Sequence, residues 1–329
     1  MTHATTPSIN AATPAANAAA TTINSATPVT NRAMSVGTVA FALQRGAGSL
    51  IDCSDSPRLD AELLLGRVLG LSRAGLIARG DDAVSVEHEH AYGRLLERRR
   101  QGAPVAYLTG RREFWSLTLD VTPAVLVPRP ETELIVELAL GLIPRDQPGS
   151  VLDLGAGSGA IALAIASERP RSRVTGVDIS PPALDVARQN SRRLGVTNVE
   201  WRLGSWFEPV REQRFDMIVA NPPYIAAADP ALAALLAEPR IALCAGPTGL
   251  EALAAIAADA PSHLAARGWL ILEHGAGQAP QVMQLLERRG FQELRSHRDL
   301  AGRPRVTLGS FTLDTFNTQG TVNRHEEHT

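Results

Sequence analysis

Apolar residues recur at two different periods along the chain, and the change of period divides it. Over residues 34–108 the spacing is helical. Val36, Val39, Ala40 and Leu43 share one face, and Leu59, Leu63, Leu64 and Val68 share another. Ser56-Pro57 reads as an N-cap followed by a first helical position. A further helix is expected over 86–100, so this region holds about four or five helices. Its His88 and His90 are two apart and point away from each other on a helix, which suits solvated side chains better than a metal pair. From 110 to 127 the period shortens. Phe114, Leu117, Leu119 and Val121 predict short strands or a hairpin between two domains. Pro128-Arg129-Pro130-Glu131-Thr132-Glu133 then opens a helix, with proline in the first turn and acids complementing the dipole.

Beyond residue 150, short apolar runs alternate with helical stretches. Strands are expected over 150–154, 173–177, 199–203, 215–220 and 268–272, with a closing pair over 291–295 and 305–311. Helices are expected over 160–169, over 181–194 up to Gly195, over alanine-rich 230–237 and 250–266, and over 281–288 up to Gly290. Strands alternating with helices make a parallel α/β sheet. The chain thus divides into an extension (1–33), a helical domain (34–108), a hairpin linker (109–127), an α/β domain (128–315) and a polar tail (316–329). The extension is Ala, Thr, Asn, Ser and Pro with hardly a large apolar residue, and is expected to be disordered. The tail is expected to fray.

Composition narrows the chemistry. The net charge is −2 and the sequence contains no lysine. A lysine Schiff base, a phosphate-binding Walker lysine and a lysine general base are excluded. The near-neutral charge does not suggest a polyanion-binding surface. Cys53 and Cys244 have no metal spacing and suggest no disulfide framework, which fits a reducing cytoplasm. No metal site and no membrane span are expected.

The candidate chemistry lies where strands end. Gly155-Ala156-Gly157-Ser158-Gly159 follows the first strand and opens a helix, the start of a nucleotide-binding unit. Alone this loop also fits a dinucleotide site. Asp178 ends the second strand, about 20 positions on, where a carboxylate bonds ribose hydroxyls. The cofactor therefore carries an unphosphorylated ribose, with adenosine the first candidate. Trp206, after the third strand, is placed either to wall an adenine ring or to pack in the core. Asn221-Pro222-Pro223-Tyr224 follows the fourth strand. Two prolines stiffen this loop. The Asn221 side-chain oxygen and the Pro222 carbonyl can each accept one hydrogen from a planar NH2 group, while Tyr224 covers its flat face. A tight turn is the plain alternative. Arg129 and Glu131 fit a helix start or a flap that touches a ligand. His274, after the fifth strand, fits a polar loop residue better than a base.

Several motifs in order resemble the HemK/PrmC family. They are Gly102-x-Pro104-x-x-Tyr107-x-x-Gly110, Glu113-Phe114 and the Val127 to Glu133 run; then Gly204-Ser205-Trp206-Phe207-Glu208-Pro209, Asn221-Pro222-Pro223-Tyr224-Ile225 and Leu272-Glu273-His274-Gly275. The resemblance spans about residues 36–313. It implies a class I S-adenosyl-L-methionine-dependent methyltransferase: a Rossmann-like, mostly parallel seven-stranded sheet with a small N-terminal helical domain and a hairpin linker. It also implies methylation of the glutamine side-chain amide in the Gly-Gly-Gln motif of class I peptide chain release factors. By the same resemblance, residues 155–159, Asp178, Trp206 and Asn221 contact the cofactor, Asn221 to Tyr224 hold the glutamine, and the helical domain helps to bind the release factor. Ser116 stands where that family usually has glycine. The alternatives are an adenine exocyclic-amine methyltransferase acting on nucleic acid, a non-catalytic adaptor for a translation factor, and a NAD-dependent dehydrogenase.

Overall fold

The computed structural model describes residues 37–312. The extension (1–33) and the tail (316–329) lie outside the described residues.

Among the described residues, five helices come first: α1 (Val39–Ser49), α2 (Pro57–Leu69), α3 (Arg73–Ala78), α4 (Val86–Arg100) and α5 (Val105–Thr109). Helix α4 follows from its sequence directly. The Ser85 side chain accepts from His88 N, Glu87 and Glu89 occupy the first turn, and Arg98, Arg99 and Arg100 the last. His88 and His90 are exposed, as expected. Ser56 sits at the start of α2 without capping it. Ser54 Oγ instead accepts from Ser56 N at 3.0 Å and donates to Asp60 Oδ2 at 2.7 Å. Leu43, Leu64, Leu65, Leu76 and Tyr92 form the centre of a core of their own.

Strands β1 (Arg111–Phe114) and β2 (Leu117–Asp120) pair antiparallel. Their turn places Trp115 and Ser116 at φ +49° and +59°. Asn190 fixes this hairpin to the next domain. Its Oδ1 accepts from Asp120 N at 2.7 Å, and its Nδ2 donates to Asp120 O and Ser158 O, both at 3.0 Å.

A 3-10 turn over Pro130–Thr132 leads into α6 (Glu133–Leu142). The sheet then builds through β3 (Ser150–Leu154), α7 (Ala160–Glu168), β4 (Arg173–Asp178), α8 (Pro181–Leu194), β5 (Val199–Leu203) and β6 (Phe215–Ala220). A short pair, β7 (Ile225–Ala226) with β8 (Cys244–Gly246), follows. Then come α9 (Glu251–His263), β9 (Leu264–Glu273), α10 (Ala279–Glu287), β10 (Gln292–Arg298) and β11 (Pro304–Phe311). The order across the seven-stranded sheet is β10-β11-β9-β6-β3-β4-β5. Strands β5, β4, β3, β6 and β9 run parallel, and β11 enters antiparallel between β9 and β10.

The sheet is covered on both faces. Ile161, Leu163 and Ile165 of α7 are buried against one face, each contributing about 1.5–3 kcal/mol by burial. Leu253 and Ile256 of α9, with Val282 and Leu286 of α10, cover the other. Two expected elements differ. Residues 230–237 form a 3-10 turn over Pro230–Leu235 rather than an α-helix. The last helix before β9 ends at His263, two residues after Pro261, and β9 starts four residues earlier than expected, at Leu264.

Candidate active site

The order of connection locates the site. From β3 the chain moves outward through β4 and β5, then returns across β3 to β6. That reversal opens a crevice between the carboxyl ends of β3 and β6, the switch point where open α/β sheets bind ligands. Leu154 and Ala220 are partners in register. The residues that follow them, Gly155 and Asn221, therefore start the two lips of the crevice.

A cavity of about 430 Å³ fills it. Gly155, Ala156, Gly157 and Ser158 line the cavity from β3, Asp178 from β4, Trp206 after β5, and Asn221 and Pro223 after β6. A Cβ on Gly155 would meet Trp206 Cζ3 at 3.8 Å and the Asn221 carbonyl oxygen at 4.0 Å, so the three meet at one point. Gly159 does not line the cavity. It supports the loop from behind, at φ +82°, where a Cβ would lie 2.8 Å from Trp201 Cη2.

Asp178 shapes the loop as well as facing the cavity. Its Oδ2 accepts from Gly157 N and its Oδ1 from Ser180 N, both at 2.8 Å. Burial raises its pKa, and those N–H groups partly offset the rise. Behind the loop, Asp153 is fully buried. Its Oδ2 accepts from Ala162 N at 3.1 Å, while Oδ1 has no partner. Burial pushes its pKa up to about 7.

The four residues 221–224 divide their surroundings. Asn221 touches the main cavity and a smaller one of about 70 Å³. Tyr224 lines only the smaller one, together with Leu126, Leu235 and Leu243. Pro222 is buried and lines neither. Asn221 Nδ2 donates to Thr132 Oγ1 at 3.0 Å. The Tyr224 hydroxyl donates to Glu273 Oε1 at 3.3 Å, and Gln278 Nε2 holds the Tyr224 carbonyl at 3.0 Å. Burial drives the Tyr224 pKa upward, and the Glu273 charge adds to the rise. Burial likewise raises Glu273, to about 7, against the lowering pull of Thr132 and Tyr224.

Arg129 lines both cavities and is ion-paired with Glu238, whose Oε2 also accepts from Val127 N at 3.0 Å. This clamp ties the segment before α6 to the segment between β7 and β8. Glu131 lines neither cavity. His274 is not a loop residue open to a ligand. It is fully buried, with Nδ1 2.9 Å from Gly275 O and Nε2 2.8 Å from Thr307 Oγ1. Both ring nitrogens are engaged, and burial lowers its pKa.

Three residues of this site carried no separate weight in the sequence. Thr132 read as part of a helix start. Glu273 stood beside the more conspicuous His274. Glu238 had no signal of its own in the sequence; its burial, at 7% exposed, and its bonds to Val127 and Arg129 appear only in the folded chain.

Residues 146–263 match a family described as methyltransferase domain, and residues 42–110 match the PrmC N-terminal domain. The chain is 45% identical to a release factor glutamine methyltransferase of Aliivibrio fischeri, over 83% of this chain and 97% of that protein. It is 46% identical to that of Salmonella typhimurium, over 79% of this chain and 94% of that protein. It is 43% identical to that of Escherichia coli, over 81% and 97%. With these shares covered, the chain belongs to the release factor glutamine methyltransferase family.

Proposed function

We propose that this chain transfers a methyl group from S-adenosyl-L-methionine to the side-chain amide nitrogen of glutamine in the Gly-Gly-Gln motif of class I peptide chain release factors. The observation that carries this reading is the meeting of the glycine loop and the Asn221 corner at the β3–β6 crevice, with 4.0 Å between a Gly155 Cβ and the Asn221 carbonyl oxygen. A methyl donor and an amide held on these two lips are neighbours.

The chain's residues fit the cofactor. Gly157 has φ +54° and nothing nearer to an added Cβ than Gly155 O at 4.0 Å, so its backbone is open to close approach. Asp178 retains acceptor capacity for ribose hydroxyls beyond its two N–H partners. Trp206 offers an aromatic wall. When bound, the cofactor supplies a methyl group on a positively charged sulfonium, which needs little further activation.

The demand on the protein is the nucleophile, because the lone pair of an amide nitrogen is delocalised into its carbonyl. Asn221, which borders both cavities, would accept an N–H of the glutamine amide through Oδ1. Tyr224 lines the adjoining smaller cavity, where its ring would face the incoming side chain. Held there, the nitrogen would meet the methyl donor in near-attack geometry. The same acceptor would stabilise positive charge as it develops on nitrogen, already oriented before the reaction. The proton then passes to water.

Residues 34–108 act as a docking domain for the release factor, 109–127 as a linker and 128–315 as the catalytic domain. The partner is a protein, with no direct nucleic-acid contact, and the enzyme acts in the cytoplasm. No helix of the described residues is long and apolar enough to cross a membrane. The adenine-amine methyltransferase, adaptor and dehydrogenase alternatives are not favoured by relatives that match along nearly their whole length.

Asn221→Ala tests the reading. Loss of one preorganised acceptor is expected to lower kcat about 100- to 1,000-fold, the cost seen when an oriented hydrogen-bonding group is removed from a transition state. Circular dichroism should be unchanged. Near wild-type turnover by a folded Asn221→Ala enzyme contradicts the assignment.

A further inference from the structure

S-adenosyl-L-methionine is charged along its methionine arm: a sulfonium, then an α-ammonium and an α-carboxylate. A carboxylate drawn out of water needs a cation or several hydrogen-bond donors beside it. Asp178, Trp206 and Asn221 supply no positive charge. The chain has no lysine, so arginine and histidine are its cationic side chains. Among the described residues that line the cavity of about 430 Å³, Arg129 is the one such side chain.

Arg129 stands at the right end of the cavity. It borders both the main cavity and the smaller one, as Asn221 does, whereas Asp178 and Trp206 line the main cavity alone. The Asn221 Nδ2 bond to Thr132 Oγ1, at 3.0 Å, sets the Pro130–Thr132 turn against the lip after β6, and Arg129 immediately precedes that turn. The guanidinium is therefore on the Asn221 side of the cavity, with the acid that suits ribose on the other.

The guanidinium is held at one nitrogen and open at the rest. Its Nη2 donates to Glu238 Oε1. Glu238 is itself fixed, with a side chain 3% exposed and Oε2 accepting from Val127 N at 3.0 Å. Nε and Nη1 of Arg129 have no protein acceptor among the described residues. Glu238 already ties the two segments together through Val127 N, so the guanidinium adds something a tie does not need: a positive charge and open N–H groups on the cavity wall. Its rigid fork matches a carboxylate, and one guanidinium can serve two carboxylates from different edges. Pairing with Glu238 also offsets the repulsion that an isolated cation would exert on the sulfonium.

We infer that Arg129 binds the α-carboxylate of S-adenosyl-L-methionine and that Glu238 is the positioning residue that aims its guanidinium. The inference rests on the reading of this cavity as the site of the methyl donor. Asp178 and Arg129 then hold the cofactor on both sides of its sulfonium, which limits the positions open to the methyl group.

The test is calorimetry on the full chain with two ligands: S-adenosyl-L-methionine, and decarboxylated S-adenosylmethionine, which keeps the sulfonium and the ammonium but carries hydrogen in place of the carboxylate. The wild type should bind the first about 10- to 100-fold more tightly, the range for a hydrogen bond to a charged group. Arg129→Met should weaken the first ligand by a similar factor, leave the second nearly unchanged, and so abolish the preference. Glu238→Gln leaves Arg129 in place but loosens it, and should reduce the preference without abolishing it. A group that only tied the segments together would weaken both ligands alike. Equal affinities in the wild type, a preference that survives in Arg129→Met, or equal weakening of both ligands in either variant overturns the inference. Should Arg129→Met fail to fold by circular dichroism, Arg129→Gln, which can still donate to Glu238, is read by the same criteria. Any of those results leaves the proposed function standing as long as the wild type binds S-adenosyl-L-methionine. A wild type that binds neither ligand sinks the reading of the cavity and the inference with it.

Discussion

The Asn221 side chain does not set its own orientation: its Nδ2 donates to Thr132 Oγ1 at 3.0 Å. The tetrapeptide supplies stiffness, acceptors and a ring, all legible from residue types. The partners that orient it come from 89 and 49 positions away in sequence: Thr132 for Asn221, and Glu273 for Tyr224. Glu273 stood in plain view beside His274, but neighbouring residues of a strand point to opposite faces. The acid faces the corner, and the histidine turns to Thr307 on β11. In the sequence His274 reads as a polar loop residue rather than a base, and Glu273 carries no separate weight. Asp178 shows the reverse case: its place after a strand and its distance from the glycine loop marked it in the sequence, and it lines the cavity. Its added role, accepting from Gly157 N, makes a specific expectation. Asp178→Ala removes the proposed ribose acceptor and leaves the Gly157 N–H without its partner, a loss of about 1–3 kcal/mol. Calorimetry should show cofactor Kd raised about tenfold or more, since 1.4 kcal/mol is a factor of ten in affinity. An unchanged Kd would mean that the carboxylate only shapes the loop.

Among the elements, the central strands were the most legible. Phe215–Ala220 and Ser150–Leu154 are short, almost wholly buried runs, and burial on both faces leaves no polar alternation to confuse them. Residues 230–237 were the least legible. Alanine and leucine there favour an α-helix by propensity. The segment is instead held by β7 and β8 pairing on either side and by the Glu238 clamp to Val127 and Arg129. Tertiary attachment overrode local preference. The hairpin carries a testable defect. Ser116 sits at φ +59°, in the left-handed region that suits glycine, and its neighbour Trp115 shares that conformation. Two-residue hairpin turns of this kind favour glycine there. Ser116→Gly should therefore stabilise the protein by about 1 kcal/mol, read as a higher urea midpoint at constant slope. A lower midpoint would show that the serine makes a compensating contact.

Across the whole molecule, the helical region, the hairpin and the α/β sheet are physically continuous. Ala106 of α5 packs with Val121, Val125 and Val127 of the linker and with Ala183 and Val186 of α8. Asn190 reaches from α8 to both the hairpin and Ser158 of the glycine loop. The helical region and the glycine loop are thus braced by one helix, α8. The periods of the sequence revealed both regions, but not this brace, because a buried asparagine inside an amphipathic helix has no signature of its own. The central claim concerns the atom that is methylated, and mass spectrometry of the substrate tests it most directly. A purified class I release factor is incubated with this enzyme and isotopically labelled S-adenosyl-L-methionine, digested and fragmented. The expected result is one labelled methyl group on the glutamine of the Gly-Gly-Gln peptide, absent when Asn221→Ala replaces the wild type. An unmodified glutamine, or label on any other residue, would contradict the account.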